Sequence, residues 1–436
     1  MSLEYSKNKR RINLTKNGNK NLIENFVAVA LTQIIMYVFP LITLPYLSRV
    51  LGAEKFGLVF WAQSTIMYGF MLTDFGFNNS AVREFSIHRE NSEKMSDIFS
   101  SIMFIKLILT VISFILLAIA ILFIPKFHSE AFLFFMTFFM VIGNVLYPMY
   151  LFQGIEHMKY ITILNVISKT LFLIFIFIFV RNQTDYILVA FFNSLAYIIP
   201  GILAIYMANK RFNIKLKIPS KEEIIHQIKY SSEFFLSRIS VAGYTNTNTF
   251  VIGFLFNPIL VGYYVAAEKI YTALSGIAAP FSQVLYPYIA KSKNIIKYKK
   301  IFKYAFIFFV CIAIFVFIFA KDIVNIFYGA ELLPAYVLLR FFCFTLIFGV
   351  TSNLLGFPLL GGMGYTKDAN MSIIFGSIWH LLCLLLLVLL HAKNINMIAM
   401  LTIATEFIVL LYRIIKIKKY KLWDTRTLKV NEILIN

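Results

Sequence analysis

The sequence predicts an all-α polytopic membrane protein with twelve transmembrane helices in two six-helix lobes around a central cavity. The composition is the first reason: 60% of the 436 residues are hydrophobic and the mean hydropathy is +0.78, beyond what an ordinary water-soluble domain carries. Second, the apolar residues fall into about twelve runs of ~20 residues or more, enough to cross ~30 Å of hydrocarbon at ~1.5 Å per helical residue. Third, the runs are continuously apolar and lack the period-two alternation of a membrane barrel.

Taken in order, the first six spans are expected at 22–48, 56–78, 98–124, 130–152, 158–180 and 186–208, forming an N-terminal lobe over 22–208. Pro40 and Pro45 are expected to break or kink the first of them, because proline removes a helical donor and crowds the preceding turn. The longest polar interruption, NKRFNIKLKIPSKEEIIHQIK at 209–229, follows, and 209–227 reads as a basic linker. Six more spans are expected at 228–256, 260–290, 301–320, 333–361, 369–391 and 394–415, a C-terminal lobe over 228–415 with a tail at 416–436. Residues 1–21 are basic and polar, without an apolar core ending in a small-residue cleavage site. They read as a cytoplasmic tail rather than a signal peptide.

The formal charge of +20 invites a nucleic-acid reading, but its distribution argues for topology instead. With the N-terminus inside, 30 of the 41 basic residues fall in segments on the cytoplasmic side, and the opposite connections hold Arg49, Lys55, Lys126, Arg181, Lys321 and Lys393. That bias places both termini in the cytoplasm, with an even number of spans. Attraction to anionic headgroups would add to it. Cys311, Cys343 and Cys383 all lie in apolar spans, and His88, His128, His157, His226, His380 and His391 are scattered, so neither disulfide nor metal site is implied.

A weak repeat links the halves at an offset of 205 residues: LSRVLGAEKFGLVFWAQSTIMY from Leu47 lies over IGFLFNPILVGYYVAAEKIYTA from Ile252. Gly57 falls on Gly262, Ala62 on Ala267 and Gln63 on Glu268. A shared turn after the first span of each half fits a duplicated transporter bundle, although short turns between apolar helices also look alike. Leu51-Gly52 and Phe56-Gly57 bracket that turn, where glycine permits positive φ or close helix approach.

The words around the first two spans carry a family likeness. Ser48-Arg49-Val50-Leu51-Gly52, Phe56-Gly57, Thr73-Asp74-Phe75-Gly76 and Ala81-Val82-Arg83-Glu84 stand in this order, followed by LFQGIEHMKYITILNVISK at 151–169 and GFPLLGGMGYTKDANM at 356–371. In these the chain resembles bacterial lipid-linked oligosaccharide flippases of the Wzx type. These belong to the multidrug/oligosaccharidyl-lipid/polysaccharide exporter superfamily. The likeness is specific in the first 170 residues and otherwise rests on span count and linker position. It implies transport of an undecaprenyl-pyrophosphate-linked oligosaccharide, of O-antigen or capsule type, across a bacterial cytoplasmic membrane by alternating access. Polymerase and chain-length proteins of the same pathway would be its partners.

Charges inside the spans mark candidate sites, since a charge at mid-bilayer costs roughly 2.5–3.5 kcal/mol on insertion scales. Lys169, Arg238, Lys269 and Arg340 sit on four helices and form a candidate cationic cavity for an anionic headgroup, or else structural ion pairs such as Arg340 with Glu406. Lys106 lies near enough to a helix end to snorkel and reads as the weaker candidate. Glu233, Glu268 and Glu406 are candidates for charge pairing or coupling to H+ or Na+, and no other cofactor is implied. Arg49, Asp74, Arg83 and Glu84 read as an interfacial gate network or as substrate contacts. The run Thr245-Asn246-Thr247-Asn248-Thr249 offers interhelical hydrogen bonds or a polar cavity wall.

No catalytic residue set emerges. A Walker motif is absent, Gly361-Gly362-Met363-Gly364 lacks the lysine of a phosphate loop, and no long extramembrane segment could hold a catalytic domain. Two rivals remain. An ion-coupled drug exporter of the same superfamily would favour a carboxylate-rich cavity, and a non-transporting scaffold of glycan assembly would need no buried charge. Cysteine-accessibility labelling tests the orientation: 209–229 and 291–303 label from the cytoplasm, and positions 126, 181 and 393 from the opposite side. Labelling of 209–229 from outside would overturn it.

Overall fold

The computed structural model describes residues 2–392 and 394–423, with the side chains of 2–30, 34, 233 and 236–246 outside the description. Lys393, on which part of the topology reading rests, also lies outside it. The described residues are helical and contain no strand. The helices are α1 (Ser2–Asp74), α2 (Phe77–Ile87), α3 (Ser92–Phe123), α4 (Pro125–His128), α5 (Ala131–Leu146), α6 (Met149–Gly154), α7 (Met158–Phe179) and α8 (Tyr186–Phe212). They continue with α9 (Lys221–Leu255), α10 (Pro258–Gly276), α11 (Ala278–Ser292), α12 (Ile295–Ile318), α13 (Ala320–Tyr328), α14 (Ala335–Leu354), a π-helical segment (Leu355–Gly361), α15 (Thr366–Leu389) and α16 (Asn396–Lys419). Among the described residues, nine helical stretches are long and apolar enough to cross a membrane. The first, Leu31–Ile87, has 57 residues, roughly 85 Å of helix, so it is long enough for more than one crossing. Long helices present bare apolar faces, as α3 does with Leu107, Val111, Leu116 and Leu122, which suits lipid rather than water.

Several expected spans are interrupted, each for a local reason. The first span runs through Pro40 and Pro45 with helical backbone angles, and the interruption comes at Gly52, at φ 69° and ψ 171°. The expected break at the prolines is therefore corrected: a proline costs a helix one donor, which a long apolar helix tolerates. The fourth span stops at Leu146 because Pro148 ends α5, and the short α6 follows. The eighth divides into α10 and α11, and the tenth ends in the π-helical segment around Gly356 and Pro358. Pro358 cannot donate to the Leu354 carbonyl, and the Tyr298 hydroxyl does so instead at 2.6 Å.

The contacts divide the chain into two compact units. One comprises 1–43 and 66–236, the other 44–65 and 237–436. In the first, α5 packs along α8, α7 along α8 and α2 on α6, around a core of Phe77, Phe85, Phe99, Ile102, Tyr150 and Leu151. The Asp74-Phe75-Gly76 word breaks the helix between α1 and α2: Phe75 and Gly76 take φ 42° and 82°, and Phe75 stacks on Phe235 of α9 at 4.7 Å. Gly76 is needed twice over. Its backbone is left-handed, and a Cβ would lie 2.8 Å from the Ser231 carbonyl oxygen.

In the second unit α14 packs against α10, α12 and α16, and α15 against α16. Segment 44–65 docks here through a reciprocal contact. A Cβ on Gly57 would fall 1.8 Å from the Pro258 carbonyl oxygen, and one on Gly262 would fall 2.5 Å from that of Ala53. Ala53 and Pro258 are themselves repeat counterparts at the offset of 205 residues, so each turn presses its carbonyl on the other turn's glycine. The Ala53 amide donates to the Glu331 carboxylate at 3.1 Å, and Trp61 donates to the Phe250 carbonyl at 3.2 Å. Gly57→Ala and Gly262→Ala should each destabilise the protein by about 1–3 kcal/mol through overpacking, read as a smaller folded fraction after detergent extraction. Wild-type yield and melting with a larger residue at both positions would show that the close approach is dispensable.

Candidate functional site

The first unit contains a partly open recess lined from α1, α2, α3, α5, α6, α7 and α8. Two lysines, Lys106 and Lys169, share it with Asn78, Asn144, Asn165, Ser168, Tyr147 and Tyr197. Helical spacing explains part of the cluster: Asn165, Ser168 and Lys169 are three and four residues apart and so share one face of α7. Breaks supply the rest. Tyr147 stands at the end of α5 because Pro148 follows, and Pro200 in α8 denies the Ala196 carbonyl its helical donor at the recess wall.

Lys169 is half-buried and lies 5.9 Å from the centre of the Tyr197 ring. Lys106 is only 2% exposed, lies 5.1 Å from the Tyr150 ring centre and interacts with the Asp74 carboxylate. The expected snorkelling is corrected: the ammonium stays inside, because an aromatic face and a carboxylate await it there. Two ammonium groups beside three carboxamides form a site suited to a hydrated anion bearing hydroxyls. The ammoniums supply charge, and the amides both donate and accept.

The other expected site residues are dispersed. Lys269 lies in the second unit, 5.9 Å from the Phe60 ring centre. Arg340, also there, donates to the Phe317 carbonyl at 3.2 Å and lies 5.2 Å from the rings of Phe317 and Tyr336. It caps the end of α12 rather than pairing with Glu406. Glu406 is half-buried beside Gly349 and has Arg413 as its electrostatic partner. Glu268 is half-buried on α10 and interacts with its neighbour Lys269. Arg238 and Glu233 lie on α9, their side chains outside the described residues.

The gate candidates also separate. Arg49 is exposed and donates to the Ile326 carbonyl at 2.6 Å near the end of α13. Arg83 donates to the Tyr230 hydroxyl at 3.0 Å, and Glu84 accepts from the Gln227 amide, so α2 grips the first turns of α9. Gln227 and Lys94 both donate to Glu223, at 3.0 and 2.7 Å. Burial works to raise the Glu223 carboxyl, but these bonds outweigh it and hold it below the usual carboxylate range. Glu84, Glu223 and His226 place one ligand atom each within 4.8 Å of one another, but Lys94 and Gln227 already occupy those carboxylates.

Two buried groups escaped the sequence reading. Arg413, counted there among cytoplasmic cations, is 4% exposed and donates to Ser352 and to the Ser372 hydroxyl. It packs against Gly356, where the π-helical break frees carbonyls; Gly356 and Pro358 are the signal that could have marked that break, which the expected span at 333–361 ran through. His380, passed over as isolated, is fully buried and hydrogen-bonded through both ring nitrogens.

Comparison with known proteins agrees with this architecture. The polysaccharide biosynthesis protein family matches residues 22–293. A relative from Escherichia coli (strain K12) named "Putative O-antigen transporter" is 31% identical over 291 residues, covering 65% of this chain and 70% of its own. A Shigella dysenteriae protein of the same name is 29% identical over 256 residues, 58% of this chain and 64% of its own. Among solved structures, the lipid II flippase MurJ in an inward closed conformation superposes with a TM-score of 0.68 at 16% identity, over 91% of this chain and 87% of its own. An inward-facing multidrug resistance MATE family transporter of the MOP superfamily gives 0.64 at 16% identity, over 92% and 99%. With the all-helical fold of those transporters and a family match over most of its length, the chain belongs to the polysaccharide biosynthesis protein family.

Proposed function

We propose that this protein is a flippase that carries an undecaprenyl-pyrophosphate-linked oligosaccharide, an O-antigen or capsule repeat unit, from the cytoplasmic to the periplasmic leaflet of a bacterial inner membrane. The observation that carries the reading is the recess holding Lys106 and Lys169 among asparagines and tyrosines, in a family whose relatives bear an O-antigen transporter name. Charged phosphate oxygens suit the ammoniums, and sugar hydroxyls suit the amides and aromatic faces. The lipid tail stays in the bilayer while the polar head crosses. Arg238, Lys269 and Arg340 complete the cationic set, with Arg340 also a helix cap. Arg49, Asp74, Arg83 and Glu84 act as gate positions, and alternating access is driven by a coupling ion, H+ or Na+. Both termini face the cytoplasm, and the polymerase and chain-length proteins of the pathway are the partners. The drug-exporter alternative fares worse, since it would favour carboxylates, and among the described residues the recess is lined by two lysines and by no carboxylate.

Neutralisation tests the reading. Lys106→Gln and Lys169→Gln should each lower surface glycan roughly tenfold to a hundredfold at normal protein level, the size of one lost charge-assisted contact. Lys169→Arg should retain part of the activity. Arg340→Gln should lower protein level as well, because it uncaps α12. Wild-type surface glycan in both lysine variants, at normal expression, would end the anionic-headgroup reading.

A further inference from the structure

The second unit contains a closed polar network that the substrate recess does not use. His380 on α15 has no exposed surface. Its Nε2 lies 2.8 Å from Asn248 Oδ1 on α9, and its Nδ1 lies 2.8 Å from the Thr405 hydroxyl on α16. The Asn248 amide nitrogen donates to the Tyr264 hydroxyl of α10 at 2.9 Å and to Thr402 Oγ1 at 3.1 Å. Thr402 in turn donates to the Ile398 carbonyl at 3.0 Å. With the Asn248 amide nitrogen turned to Tyr264 and Thr402, its oxygen faces the imidazole, and in this arrangement Nε2 carries a proton.

The other nitrogen has a choice. Thr405 Oγ1 lies 2.8 Å from both Nδ1 and the Leu401 carbonyl, and its hydroxyl has a single proton to give. When the imidazole is neutral, Thr405 donates to Nδ1. When Nδ1 gains a proton, Nδ1 donates to Thr405 Oγ1 and the hydroxyl turns to Leu401. Both charge states keep every bond satisfied, and only a hydroxyl rotates between them.

Among the described residues, the charged and titratable groups on the surrounding elements are few. Tyr264 belongs to the network, with Glu268 one turn further along α10 next to Lys269, and Glu406 follows Thr405 on α16. Arg413 is committed to Ser352 and Ser372, and Lys416 is paired with Asp368 at 2.6 Å. Burial opposes the imidazolium, while two aligned acceptors, Asn248 Oδ1 and Thr405 Oγ1, favour it. We propose that His380 is a proton-binding site, with the Thr405 hydroxyl as its switch, and that the ion coupled to transport is H+. The coupling role rests on the flippase reading; the proton site does not.

Histidine-15N spectra of the full chain in nanodiscs test the site directly. A signal set absent from His380→Gln should pass from singly protonated at Nε2 to doubly protonated as pH falls between about 8 and 5. Thr405→Val removes the acceptor and should move that change about one to two pH units lower, whereas Thr405→Ser should leave it in place. An imidazole that stays neutral to pH 5, or a change unmoved by Thr405→Val, would overturn the site. In cells, His380→Gln should abolish surface glycan at normal protein level. Normal export in that variant would overturn the coupling while leaving the titration intact. Normal export in the Lys106 and Lys169 variants would instead count against the flippase reading alone.

Discussion

A polar backbone group inside hydrocarbon has no water to fall back on, so each interruption of a helix has to be answered by a side chain. This chain has several such interruptions, and its donors sit beside them. Tyr298 takes the carbonyl that Pro358 leaves open, Arg413 takes Ser352 where the π-helical segment begins, and Arg340 takes Phe317 in the last turn of α12. Arg49 does the same near the end of α13. The prolines and glycines that break the helices thus determine where these polar residues are needed.

That requirement separates the arginines from the lysines. A guanidinium offers several donors in a rigid fork and is suited to carbonyl clusters at helix ends, where the helix dipole also favours positive charge. Each described intramembrane arginine is held this way. Lys106 and Lys169 instead lie against tyrosine rings beside a recess. An ammonium held by a ring face keeps its donors available to an incoming anion, whereas a carbonyl-bound guanidinium has part of its fork already engaged.

Much of the fold was legible because it depends on local chemistry. Glycine at the turn after the first span is a property of a few adjacent residues, and so are the breaks at Asp74-Phe75-Gly76 and Gly356–Pro358, although both of these lie inside stretches read as continuous spans. The all-helical membrane class was legible too, but against twelve expected spans nine stretches among the described residues are long and apolar enough to cross, and Pro148 and the division between α10 and α11 cut expected spans in two. The candidate site was harder to read. The sequence marked Lys169, but joining it to Lys106 and Asn144 depends on how α3, α5 and α7 pack, which apolar runs do not encode. Arg413 was misassigned because its span ends in a cluster of basic residues, and a charge near a helix end can face either water or a neighbouring helix. His380 was missed for the same reason: its partners lie 132 and 25 residues away in the chain.

The repeat carries this division further. Its shared part is steric: Gly57 and Gly262 meet the carbonyls of Pro258 and Ala53 in a reciprocal contact that tolerates no side chain on either. Its unshared part is chemical, since Gln63 and Ser64 stand where the second copy has Glu268 and Lys269. Packing glycines cannot diverge without loss of the turn, whereas polar positions can, provided each new group finds a partner nearby. The two clusters described here meet that condition separately. The recess lysines are held by residues of the first unit, and the partners that His380 shows among the described residues belong to the second.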